Sequence, residues 1–139
     1  MNGCSYMFGK GLYFADMFSK SAQYLYTSES RSKGVLALGE VALGDSIELR
    51  HSHPNAKKLV AQAEKQSTYA AGLLMPDPAR DEALADGTVV PCGAAVEREV
   101  PPDQAHSFSL RHNEYIVYDE AQVRMRYVVQ IHCANATLC

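Results

Sequence analysis

At 139 residues and 15.2 kDa the chain is sized for one domain or part of one. Its 47% apolar content excludes a disordered chain, and a net charge of −3 with dispersed lysines and arginines argues against direct nucleic-acid binding by this segment. No apolar run reaches the roughly 18 residues of a membrane helix, and the opening Met-Asn-Gly-Cys-Ser-Tyr is neither basic nor apolar enough for a secretory signal, so an intracellular, cytosolic or nuclear setting is expected.

Residues 1–7 read as a short lead-in with a turn at Asn2-Gly3, followed at once by dense motif, as though the chain opens inside a domain. Residues 8–28 are the richest stretch. Gly9 and Gly11 flank Lys10, which allows a sharp turn or close approach of backbone to a ligand. Leu12, Tyr13, Phe14 and Ala15 form a compact apolar run suited to a buried strand. Asp16 or Ser19 is then placed to cap a helix reaching about Tyr26. On that helix Met17, Ser21, Tyr24 and Leu25 share one face, so a flat amide could stack on Tyr24 and bond the Ser21 hydroxyl. The same spacing fits a core helix in which Tyr24 is buried and Ser21 is merely small. Lys10 is not a P-loop lysine, because GxxxxGK[ST] is absent and a strand follows.

After a polar turn at 27–33, residues 34–44 form an apolar run that reads as a central strand, kinked or bulged at Gly39. Residues 46–50 alternate as a further strand. Residues 51–86 are the least regular: 55–66 has room for a helical turn or two, but its polarity predicts loop or surface. His51 and His53 lie in a polar loop without the clustered ligands of a zinc site, and no metal is expected. Met75-Pro76-Asp77-Pro78 breaks any helix, and Asp86-Gly87 is a tight turn into residues 88–91.

Residues 114–119 form a short strand with a carboxylate, Glu114, at its entry. Such a group could favour positive charge on an anomeric carbon, or be an ordinary solvated glutamate. Asp119 and Glu120 are weaker candidates in the turn that follows. Residues 123–132 alternate with a period of two, predicting one dry face and one wet face. The cysteines, Cys4, Cys92, Cys133 and Cys139, show no CxxC spacing and read as free thiols. Many strands, few helices and polar connectors predict an α+β domain dominated by antiparallel sheet.

Residues 8–24, 38–44 and 113–119 together resemble, in order, the poly(ADP-ribose) polymerase catalytic domain, with further likeness at 76–78 and 86–91. The resemblance spans nearly all of 1–139 and matches the C-terminal portion of that domain, starting near the donor-site loop. It implies the ADP-ribosyltransferase fold. It implies a transferase that takes NAD as substrate, breaks the nicotinamide–ribose bond and passes ADP-ribose to a protein acceptor or a growing polymer, without metal. By residue, it implies that Tyr24 stacks on nicotinamide and Ser21 meets the carboxamide. Tyr13 packs on the nicotinamide side, with Gly11 beside it, while Tyr6 and Met7 close the loop flanking the donor site. Lys20 lies near the ribose and the catalytic carboxylate, Glu114, whose acidity points to polymer formation rather than single transfer. It further implies a nuclear, DNA-repair setting. The family's histidine, in a His-Gly-Ser/Thr context, has no counterpart at His51, His53, His106, His112 or His132. An N-terminal remainder of the domain is therefore expected to supply it. The alternative is a non-catalytic module or pseudoenzyme lacking that half of the NAD site.

Overall fold

The computed structural model describes residues 6–27 and 31–132. Its strands are β1 (Leu12–Phe14), β2 (Lys33–Val41), β3 (Ser46–Leu49), β4 (Ser67–Ala70), β5 (Gly72–Pro76), β6 (Glu82–Ala83), β7 (Val89–Val90), β8 (Ala95–Glu97), β9 (Leu110–His112), β10 (Glu114–Val117) and β11 (Val123–His132). Two helices, α1 (Phe18–Ala22) and α2 (Ala56–Gln62), and three short 3₁₀ turns complete it. The predicted α+β class holds, with most pairings antiparallel and two parallel, β3–β4 and β5–β9.

The sheet that matters for function has the order β1-β10-β4-β3. β10 lies inside it, with Tyr13 opposite Ile116 on one side and Glu114 opposite Ala70 on the other. The core forms where Phe8, Ala56, Ala70, Leu110 and Ile116 meet, with Met7, Tyr13, Leu49 and Tyr118 against them. This collects the glycine loop, α2 and two central strands around one apolar centre, removing their nonpolar surface from water.

Several sequence expectations change. Residues 55–66 do contain a helix, α2, because Ala56 and Val60, four apart, are buried while Lys57, Lys58 and Gln62 face water. Two small apolar contacts suffice for a helix whose remaining faces are solvated, which is why its polarity misled. β2 is not a central strand among the described residues: it pairs with β11 in a two-stranded ribbon. The register shift in that ribbon falls on β11 between Met125 and Tyr127, opposite Gly39 and Leu38, so the bulge is across from Gly39. The alternation of β11 does not sort into dry and wet faces, since Met125, Tyr127, Val128 and Val129 are all exposed. Asp86 Oδ1 accepts from the Thr88 N–H at 3.0 Å and Gly87 takes φ +85°, making the expected turn between β6 and β7. Cys92 is a free, exposed thiol. Asn2-Gly3, Cys4, Cys133 and Cys139 lie outside the described residues.

Candidate functional site

The glycine loop is built by two tyrosines. The Phe8 N–H donates to the Tyr13 hydroxyl at 3.0 Å, and that hydroxyl donates to the Gly9 carbonyl at 2.8 Å. The Tyr118 hydroxyl donates to the Phe8 carbonyl at 2.9 Å. Gly9 adopts φ +76°, open to glycine at little cost. Gly11 is required for a different reason: a Cβ there would lie 2.7 Å from the Val117 carbonyl oxygen, so glycine lets the loop press against β10. Tyr6 stacks on Tyr13 with ring centroids 6.2 Å apart, and Met7 is half-buried on the core. Burial raises the Tyr13 phenol above its usual range, so it remains a protonated donor at neutral pH.

The helix carrying Lys20 and Ser21 is shorter than predicted. It ends at Ala22, and Tyr24 and Leu25 follow in a turn held by Tyr24 N–H to Ser21 O and Leu25 N–H to Ala22 O. Its N-cap is Met17, with no side-chain bond, so neither Asp16 nor Ser19 caps it. Leaving the helix turns Tyr24 outward. Its residue is 62% exposed, which overturns the core-helix alternative.

Lys20 joins the two ends of the candidate set. Its Nζ lies 2.7 Å from Glu114 Oε1 and donates to the Tyr24 hydroxyl at 3.2 Å. The ammonium also stands 5.3 Å from the centre of the Tyr24 ring. The Lys20 and Glu114 side chains are only 16% and 8% exposed. Burial works against the Lys20 charge, but the Glu114 and Tyr24 bonds outweigh it and raise the ammonium above its usual range. The buried carboxylate therefore keeps a permanent counter-charge. Ser21, half-buried, sits next to Lys20 on α1.

Behind Glu114 lies a polar network that spacing did not reveal. Asn113, 1% exposed, donates through Nδ2 to Asp16 Oδ2 at 2.8 Å. The Tyr115 hydroxyl donates to the same oxygen at 3.1 Å. Asn113 Oδ1 accepts from the Tyr69 hydroxyl, the Gly72 N–H and Arg98 at 3.0–3.1 Å. Arg98 also donates to Gly72 O at 2.9 Å and to the Tyr69 hydroxyl, while Tyr69 and Tyr115 stack with centroids 5.2 Å apart. Burial raises both the Asp16 carboxyl and the Tyr115 phenol above their ordinary ranges. Burial, with the cations Arg111 and Lys20, lowers the His112 imidazole, which stays neutral beside the site at neutral pH. The one sequence signal for this network was the alternation Asn113-Glu114-Tyr115, two bonding side chains flanking a carboxylate.

Two cavities lie elsewhere. One of about 530 Å³ lies beside α2 between Lys57, Lys65 and Gln122, and one of about 590 Å³ between Leu74, Arg98 and Phe108. Neither is lined by Ser21, Tyr24 or Glu114; the Lys20 ammonium joins Tyr24 to Glu114.

The family model described as the poly(ADP-ribose) polymerase catalytic domain matches residues 1–133. The chain belongs to the poly(ADP-ribose) polymerase catalytic-domain family. Among curated relatives it is 50% identical over 126 residues to poly [ADP-ribose] polymerase 2 of Arabidopsis thaliana, covering 91% of this chain and 19% of that protein. It is 45% identical over 127 residues to poly [ADP-ribose] polymerase 2 of Homo sapiens (91% and 21%) and 44% over 126 to poly [ADP-ribose] polymerase of Drosophila melanogaster (91% and 12%). The chain thus spans about a fifth or less of the length of these polymerases. Among the described residues no group of three or more His, Cys, Asp or Glu is arranged to hold a metal, and no helix is long and apolar enough to cross a membrane.

Proposed function

We propose that this chain is the nicotinamide-binding and carboxylate-bearing portion of an NAD-dependent ADP-ribosyltransferase of the polymer-forming kind. One observation carries the reading: a single half-buried ammonium, that of Lys20, bonds both the exposed Tyr24 phenol and the buried Glu114 carboxylate. An aromatic platform and a fixed anion are thereby held side by side. Breaking the nicotinamide–ribose bond builds positive charge on the sugar and releases a neutral pyridine amide. Tyr24 offers a face for the amide ring and Ser21 a hydroxyl for its carboxamide. Tyr13, Tyr6, Met7 and Gly11 form the loop side of the donor site. Glu114 stabilises the developing charge more than it stabilises bound NAD, which lowers the barrier. Lys20 holds that carboxylate aimed through the 2.7 Å ion pair, and Glu114 also polarises the acceptor hydroxyl during elongation.

The acceptors are protein side chains and growing ADP-ribose polymer. An N-terminal remainder of the domain supplies the histidine-bearing wall for the adenosine side. An intracellular, nuclear setting tied to DNA repair belongs to the same proposal and rests on the family likeness alone. With a net charge of −3, this segment makes no direct nucleic-acid contact.

A second reading, a non-catalytic module, draws support from the exposure of Tyr24 and from the ribbon that exposes Val35, Leu38, Met125 and Val128. Labelled NAD separates the two. The polypeptide of 139 residues alone should show no turnover, and the protein with a complete donor site should modify itself. In the latter, Glu114→Gln should abolish polymer with a loss of about 10²–10³ in rate while residual NAD hydrolysis persists. Long polymer from that variant would sink the role given to Glu114.

A further inference from the structure

Residues 113 and 115 flank Glu114, and by the two-residue repeat of a strand their side chains leave the opposite face from its carboxylate. Both are bound by one oxygen of one residue: Asp16 Oδ2 accepts from Asn113 Nδ2 at 2.8 Å and from the Tyr115 hydroxyl at 3.1 Å. Asp16 lies in the connection between β1 and α1, and α1 carries the Lys20 that bonds Glu114 from the front at 2.7 Å. The same two segments are therefore tied twice, once on each face of β10. Asn113 is in turn anchored to β5 and to Arg98 through Oδ1, so the rear tie leads into the body of the fold.

We propose that Asp16 is a positioning residue for Glu114, fixing the register between α1 and β10 that brings the carboxylate to Lys20. The inference rests on the transferase reading only for what Glu114 does once in place. Catalytic groups must be held to a fraction of an ångström, and a displacement near 1 Å can cost about 10² in rate. Asp16 touches no substrate in this scheme. Its Oδ1 is buried without a hydrogen-bond partner, so the carboxylate spends its bonding on one oxygen and on the two neighbours of Glu114.

The test uses the intact protein and two kinds of readout. In the first, the ¹³C signal of the Glu114 carboxyl is compared with and without Lys20→Met, in the wild-type and in the Asp16→Asn background. The Lys20-dependent shift should fall at least twofold in Asp16→Asn. It should return in Asp16→Asn/Asn113→Asp, which exchanges donor and acceptor but restores the bond. Tyr115→Phe, which removes one bond and keeps the carboxylate, should give a smaller loss and serves if Asp16→Asn does not fold. An unchanged shift in the folded variants overturns the proposal. In the second, kcat for NAD cleavage should fall about 10- to 100-fold in Asp16→Asn, with KM and benzamide affinity within threefold, and recover in the exchange variant. A benzamide affinity that falls in step with kcat also overturns it, because Asp16 would then support the whole site rather than Glu114. If the wild-type protein with a complete donor site cleaves no NAD, the transferase reading fails, and the carboxyl signal still decides the positioning role.

Discussion

The Lys20 ammonium lies 2.7 Å from Glu114 Oε1, the lysine half-buried and the glutamate buried. Neither charge would be tolerated there alone, so each residue's placement is a condition of the other's. The pair also bridges the first helix to an interior strand, from opposite ends of the chain.

Removing the cation should cost more than removing the pair. Lys20→Met leaves a buried carboxylate without its counter-charge and should destabilise by about 3 kcal/mol at neutral pH. Adding Glu114→Gln should recover at least half of that. Denaturant titration of the two single variants and the double variant reads the coupling directly.

The alkaline limb of stability should carry the signature of Lys20. Its folded pKa is raised above 10.5, so its contribution is complete below that pH and is lost as pH climbs through the higher folded value. Melting temperatures from pH 9 to 12 should fall more steeply for wild type than for Lys20→Met. Parallel curves would contradict this.

Asp16 should act in the same sense, but at acid pH. Its folded pKa is raised above 3.8 by burial, so the folded state binds the proton more tightly than the unfolded chain in the window just above that value. Stability credited to Asp16 therefore declines as pH rises from about 4 through the raised value and is level thereafter. The melting-temperature difference between wild type and Asp16→Asn should shrink across that window.

Gly11→Ala should damage the donor loop without touching a charged group. The added methyl carbon would sit 2.7 Å from Val117 O and 2.8 Å from Ile116 Cγ2. A loss of about 1–3 kcal/mol is expected, with β1 drawn away from β10. Hydrogen exchange at Tyr13 and Phe14 measures that separation.

Tyr24→Ala should separate binding from folding. The ring is largely exposed, so stability should move by no more than about 0.5 kcal/mol. Benzamide affinity should drop about 3- to 10-fold, the worth of one aromatic stacking contact. An unchanged affinity would remove Tyr24 from the nicotinamide wall.

The sequence offered the candidate site as a list. The residues of the glycine loop, Lys20, Ser21, Tyr24 and Glu114 were named as candidates through the family resemblance, because spacing alone fitted Tyr24 to a core helix and Glu114 to a solvated strand entry equally well. The tight turn at Asp86-Gly87 and the break at residues 76–78 were legible because turn chemistry is written in short spans. What misled were features that depend on neighbours. Asp16 has the chemistry of a cap, but burial beside Asn113 and Tyr115 offered it stronger donors. The apolar alternation of β11 suggested a dry face, yet its pairing in a two-stranded ribbon leaves both faces wet. α2 looked like a loop because only two small residues of it enter the core.

The sequence alone determined which chemical groups are available: the glycines that permit close approach, the tyrosines, one lysine and one strand-entry glutamate. Only the tertiary structure decided that α1 stops at Ala22 so that Tyr24 faces outward, and that Lys20 reaches Glu114 while Asp16 grips both its neighbours. The physical reason is that local spacing fixes what a segment can offer. The cost of burying an unpaired charge or polar group fixes which distant partner it must find.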